Sequence, residues 1–163
     1  MSEELNEDLA VDEKVVGQAS AEPPVEEGEQ EELMQIHIGG ESFLVRVKEI
    51  GEILRPRPLI PVPMAPDHML GVANVHGQVV CVIEPGKVMR LEKGLKPDSE
   101  STRYLVLRHP RMHVAIRVDE VSKLFRIRSD LLPEVDAAEG FVRGELEIEQ
   151  HSYRLLHVAA LFD

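Results

Sequence analysis

Seven histidines (His37, His68, His76, His109, His113, His151 and His157) and one cysteine, Cys81, are the side chains of this 163-residue chain best suited to metal binding or proton transfer near neutral pH. Their spacing supports neither. His109 and His113 are four apart, the separation that makes a ligand pair on a helix, but Pro110 lies between them and strand-like apolar runs flank them. A lone cysteine cannot form an internal disulfide and leaves no thiolate framework for zinc. Cys81 sits inside Val79-Val80-Cys81-Val82-Ile83, a run that reads as a buried strand, and burial makes a thiol unreactive by raising its pKa. The chain has no Gly-x-Ser-x-Gly turn, no phosphate-cradling glycine loop and no dinucleotide fingerprint. These residues point away from catalysis, metal and cofactor, and toward binding.

The chain that carries them is 43% hydrophobic, enough for a packed core. It has no run of 18 apolar residues to enter a bilayer. Its start, Met1-Ser2-Glu3-Glu4, lacks the apolar stretch of a secretory signal. A cytoplasmic protein without membrane insertion is expected. The net charge of −12 is unevenly placed, because residues 1–34 hold 12 of the 30 acids and a single base, Lys14. The remainder is nearly neutral and offers no basic excess to track phosphates, so nucleic acid is not an expected partner. Acids and prolines between Glu22 and Glu32 leave almost no apolar surface to offset an ordering cost of roughly 1–2 kcal/mol per residue. Residues 1–33 are therefore expected to be a disordered acidic tail, with the folded domain at 34–163. Within the tail, Leu5, Leu9, Val15 and Val16 make a weak amphipathic turn that could dock on a partner, although a plain solubilising role also fits.

From residue 34 the pattern becomes one of short strands. Gln35–Ile38 and Ser42–Val47 read as a hairpin around Gly39-Gly40. Apolar residues at 47, 50, 53 and 54 predict a short helix over Lys48–Leu54, ended by Pro56 and Pro58. Leu59–Pro66 is proline-dense and reads as an extended connector. Strands follow at 70–75 and 78–83 around His76-Gly77, then a polar loop over 86–102. Further strands are expected at 103–108, 112–118, 121–127, 141–149 and 152–157, with Leu131-Leu132-Pro133 as an apolar anchor and a helical turn at 158–162. About ten short strands with one short helix make an all-β fold, best arranged as two small barrels sharing a core. Met64, Met69 and Met112 could line an adaptable groove, with core filling the plainer role for Met112.

One stretch carries more. Ile60-Pro61-Val62-Pro63-Met64-Ala65-Pro66, followed by Gly71-Val72-Ala73-Asn74-Val75-His76-Gly77-Gln78-Val79-Val80-Cys81-Val82-Ile83, resembles the signature of the CheW family of chemotaxis coupling proteins. Val114–Val121 and Val142-Arg143-Gly144 match later parts of the same pattern, so the resemblance spans about residues 35–162. It implies two five-stranded SH3-like barrels packed together and no catalysis. The implied partners are the regulatory domain of a CheA-type histidine kinase and the cytoplasmic tip of a chemoreceptor, which the protein would bridge at membrane-bound receptor arrays. A hydrophobic groove between the barrels and a separate barrel-end surface would make the contacts. Alignment back from Gly71 sets Ile50, Glu52 and Ile53 where the family has a receptor-contact helix, and adds Gly71, Asn74, His76 and Gly77 as partner-binding positions. The chain departs from the pattern at His76, where the family has an arginine whose fork an imidazole cannot reproduce, and at Glu84-Pro85, where it has Asp-Leu. A peptide-binding or polar-localisation module working without a kinase is the alternative reading.

Overall fold

The computed structural model describes residues 28–91, 96–133 and 140–162. Ten strands form two five-stranded sheets. The first contains β1 (Gln30–Ile38), β2 (Glu41–Arg46), β8 (Glu120–Arg128), β9 (Val142–Ile148) and β10 (His151–Leu156), in the order β8-β1-β2-β10-β9. The second contains β3 (Ile50–Leu54), β4 (Met69–Val75), β5 (Gln78–Ile83), β6 (Arg103–Leu107) and β7 (Val114–Val118), in the order β3-β6-β7-β5-β4. All pairings are antiparallel except β10 with β2 and β5 with β7. The second sheet is thus inserted whole between the two halves of the first.

The period-2 alternation of the central strands explains the layering. Phe43 and Val45 of β2, Leu105 and Leu107 of β6, and Val114, Ile116 and Val118 of β7 point into a core shared by both sheets. The residues between them point the other way. Leu44, with Leu33, Leu146 and Leu155, fills the curl of the first sheet. Tyr104 and Ala115, with Leu54, Val75, Val80 and Val82, fill the curl of the second. Each sheet therefore wraps its own small core and leans on the other, and this is the double barrel expected from the sequence.

Three expectations need correction. First, the fold starts before residue 34. Gln30–Leu33 belong to β1, paired to both β2 and β8, and Leu33 is fully buried. The acids there are matched across the sheet, Glu31 by Arg46 and Lys48 and Glu32 by Arg126. The rest of the proposed tail lies outside the described residues. Second, residues 48–54 are not a helix. A single 3-10 turn, Val47–Glu49, leads into β3, where the register against β6 slips between Ile50 and Glu52. Gly51 is the extra residue of a β-bulge, which turns the strand period of two into a local three. Ile50 opposite Leu107 and Ile53 opposite Leu105 therefore do share a face, as a helical reading required, but they share it on a strand. Third, the polar loop from residue 86 opens with one helical turn, α1 (Pro85–Val88), capped by the Glu84 carboxylate. Residues 92–95 of that loop are outside the described set.

Candidate functional site: a strand-end notch and an apolar crease

The positions singled out by the motif gather at one end of the second sheet. β3 and β4 are its two edge strands, and Glu52 on β3 meets His76 in the turn after β4. His76 Nε2 donates to Glu52 Oε2 at 2.8 Å, so the pair clasps the open side of the curled sheet. Both side chains are substantially exposed, which holds the stabilisation from such a pair to about 1 kcal/mol or less. The turn is built locally: His76 and Gly77 both have positive φ, 52° and 83°, as a two-residue hairpin turn of matching twist needs. Asn74 Oδ1 accepts from the Gly77 N–H at 3.0 Å, which fixes the turn. Asn74, His76, Gly77 and Ile53 are exposed, and Ile53 is a large apolar side chain left 46% accessible.

Two of the expected contact residues do not reach this surface. Ile50 is 6% accessible and packs in the shared core. Gly71 is buried beneath the connector, where Ile60 makes an isolated antiparallel bridge to Val72 along the free edge of β4. At Gly71, with φ of +147°, an added Cβ would lie 2.7 Å from the Ile60 carbonyl oxygen. The glycine is there to let the connector cover the edge strand.

The second feature lies beside the notch. A crease of about 740 Å³ opens where the two sheets meet, with Met69, Cys81, Met112 and Val114 on one wall and Phe141 and Phe162 on the other. Its wall continues outward along the sheet. Ile60, Val72, Cys81 and Val114 lie in register across four adjacent segments, so their side chains fall on one face. Val79, on that face of β5, is 63% accessible and sits directly opposite Asn74, whose side chain bonds the turn that carries His76. The Cys81 thiol is half-buried on this wall, less enclosed than the sequence suggested, and burial still pushes its pKa up. Met69 and Met112 both line the crease, and Met112 also packs on the shared core. Met64 stands fully exposed at the tip of the connector, away from the lining.

Behind this surface lies a charged cluster that sequence reasoning missed. Arg117 on β7 is 3% accessible and donates to Asp98, Glu84 and Asp119 at 2.9, 3.1 and 3.2 Å, and to the Lys96 carbonyl. Burial alone would lower the Arg117 pKa, but the hydrogen bond to Asp98 and the three carboxylate charges carry it above its ordinary value. Glu84 bears the cost: burial raises its pKa, and the Gly86 amide and Arg117 only partly offset this. The Glu84-Pro85 departure thus has a use, because one carboxylate caps α1 through the Gly86 N–H and neutralises a buried arginine. An arginine set between Ile116 and Val118 in a strand was the available signal.

The histidines have other employment. His109 Nδ1 accepts from the amides of Arg111 and Met112, closing the β6–β7 turn, and its ring stands edge-on to Phe162. Among the described residues no three metal-ligating side chains converge, and no helix is long and apolar enough to cross a membrane.

With this geometry in hand, comparison with known proteins gives one consistent answer. Residues 32–163 match the family model of the CheW-like domain. The chain is 30% identical over 138 residues to a probable chemotaxis protein CheW of Rhizobium etli, covering 80% of this chain and 86% of that protein. It is 34% identical to the chemotaxis protein CheW of Helicobacter pylori over 60% of this chain and 59% of that one. The crystal structure of the scaffolding protein TtCheW from Thermoanaerobacter tengcongensis superposes with a TM-score of 0.72, covering 86% of this chain and 93% of its own at 15% identity, and so shares the fold. The apolar double-barrel surface, the motif that builds its notch and these matches together establish that the chain belongs to the CheW-like domain family, whose members are non-catalytic scaffolds of chemotaxis signalling.

Proposed function

We propose that this chain is a cytoplasmic coupling scaffold that joins the regulatory domain of a CheA-type histidine kinase to the cytoplasmic tip of a chemoreceptor. The observation that carries the reading is the presence of two separate features, a notch at Glu52 and His76 with Ile53 exposed beside it, and an apolar crease walled by both sheets. The two features differ in chemistry, as two partners require. The crease is open and mainly apolar with adaptable methionines, a surface that accepts the apolar face of an amphipathic helix such as a receptor tip presents. The notch, with one exposed isoleucine beside an ion pair, suits the end of another β-barrel, where hydrogen bonding and charge set register, and this moves Glu52 and Ile53 from the receptor contact that the family resemblance implied to the kinase contact.

The test uses the full chain with purified kinase regulatory domain and a receptor-tip fragment, measured separately by calorimetry. Ile53→Asp is expected to abolish kinase binding and spare the receptor, while Val79→Asp together with Met112→Asp should do the reverse. Loss of neither interaction in either variant, with folding intact by circular dichroism, would overturn the reading.

A further inference from the structure

Two arginines are buried among the described residues; Arg117 is ringed by carboxylates, and Arg143 is not. Arg143 lies on β9, the edge strand of the first sheet, where the pairing with β10 steps from Leu155 opposite Gly144 to Leu156 opposite Val142. Arg143 is the extra residue of that bulge. Regular alternation would send it to the solvent face with Glu145 and Glu147, but the bulge aims it inward, and it is 8% accessible. Its Nη2 donates to Glu49 Oε2 at 3.3 Å, from one sheet to the approach of the other. Glu49 closes the 3-10 turn that enters β3, and its carbonyl accepts from the Arg108 N–H at 2.9 Å, so its backbone is fixed to the second sheet. The pair is poorly served. Arg143 Nε and Nη1, Glu49 Oε1 and His157 Nδ1 are buried without a hydrogen-bond partner among the described residues. Burial draws the Arg143 pKa down and pushes that of Glu49 up, and their mutual attraction offsets this only in part. For stability alone, an apolar pair would serve such a site as well or better. What the ionic pair adds is direction.

Phe141, two residues before Arg143, stands on the wall of the crease opposite Met69 and Met112. Its carbonyl accepts from the His157 N–H at 2.7 Å, an attachment to the end of β10, so this wall travels with the last hairpin of the first sheet. Phe141 and Val142 also pack on the shared core, but apolar contact does not fix a position along a surface. We propose that Arg143 is a positioning residue for the crease: by holding Glu49 it sets β9, and with it the Phe141 wall, at a fixed distance from the second sheet, and so sets the width of the opening that a helix must enter. Glu49 leads straight into β3, so the same tie joins the crease wall to the strand that carries Glu52 and Ile53. The effect on receptor docking rests on the coupling function proposed above, whereas the positioning of the wall does not.

Methionine methyls read the wall in the full-length protein with no partner present. Met69 and Met112 line the crease, while Met64 stands at the exposed tip of the connector. Arg143→Leu with Glu49→Leu replaces the ionic pair by an apolar one, so its melting temperature should stay close to that of wild type. In 13C-methyl-methionine spectra of this variant the Met69 and Met112 resonances are expected to shift and that of Met64 to stay in place. Its affinity for a receptor-tip fragment should fall by about tenfold. Glu49→Gln keeps the shape and one acceptor, should move the same two resonances by less, and decides the matter if the double variant does not fold. Wild-type positions for Met69 and Met112 in the folded variants would overturn the proposal and leave the pair a structural one only. So would a Met64 shift as large as theirs, which marks a general rearrangement. Displaced crease methyls with undiminished capture of the receptor tip would uphold the positioning and refute the crease as the receptor's site.

Discussion

The bulge at Gly51 makes Ile50 and Ile53 a matched pair for experiment, because they lie on one face of one strand at opposite extremes of burial. Ile50→Ala removes three methylene equivalents from the shared core, about 2.4 kcal/mol of transfer free energy at roughly 0.8 kcal/mol each. Incomplete collapse of the void brings the loss to about 3–4 kcal/mol. For a domain of this size, at about 4 °C per kcal/mol, the melting temperature should fall by roughly 12–16 °C. Ile53→Ala starts from a side chain already about half in water and leaves no closed cavity. Its loss is about 1 kcal/mol, or a drop of roughly 4 °C. Binding should rank the other way: at a temperature where both variants are folded, Ile53→Ala weakens capture of the kinase regulatory domain and Ile50→Ala binds as wild type does. Differential scanning fluorimetry and calorimetry on the same preparations settle both. If Ile50→Ala melts within about 3 °C of wild type and loses partner binding, Ile50 faces outward and the bulged-strand account fails.

Other outcomes follow from the charged cluster and the motif positions. Arg117→Met strands the Glu84 carboxylate at a site 5% accessible and should cost about 3–5 kcal/mol in a denaturant melt, with Glu84→Gln in the same background recovering part of the loss. Because burial raises the Glu84 pKa, its favourable contribution is complete below the ordinary carboxylate range and is lost as pH rises through the raised value. The stability of wild type relative to Glu84→Gln should therefore fall across that window in urea titrations at stepped pH. Gly71→Ala sets a methyl 2.7 Å from the Ile60 carbonyl and should destabilise the fold by about 1–3 kcal/mol, with faster amide exchange at Ile60 and Val72 as the connector lifts. His76→Arg sets a guanidinium fork against the Glu52 carboxylate and should tighten kinase binding by about threefold, roughly 0.6 kcal/mol.

Much of the architecture was legible because turns announce themselves. Gly39-Gly40 and His76-Gly77 each sit between paired antiparallel strands, as the sequence predicted, and the Asn74 amide fixes the second turn. What stayed hidden did so for definite reasons. The apolar spacing at 47, 50, 53 and 54 mimics a helix because a bulge inserts one residue, and a bulge is set by pairing with β6, which local sequence does not encode. Glu31 and Glu32 look like more of the acidic tail until Arg46 and Arg126 are seen across the sheet from them. In Val79–Ile83 every side chain is apolar because both faces of the strand are used, one in a barrel core and one along the crease, so alternation could not say that Val79 is exposed. The crease itself joins residues far apart in the chain, Met69 with Phe162, and only tertiary assembly brings them together.

The interleaving of the two sheets has a consequence for how the protein is made. Every strand of the second sheet lies between Ile50 and Val118, so that barrel is complete in sequence once its last strand leaves the ribosome. β1 and β2 emerge first yet wait for their neighbours: Gln30 pairs with Arg128, and Leu44 with Leu155. Long-range pairings of this kind form slowly, since the intervening chain must be gathered before they are rewarded. During synthesis the early hairpin stays an unpaired, apolar ribbon beside a finished neighbour. Lesions in the last thirty residues should thus betray themselves as aggregation of nascent chains, well before any defect in signalling can be measured.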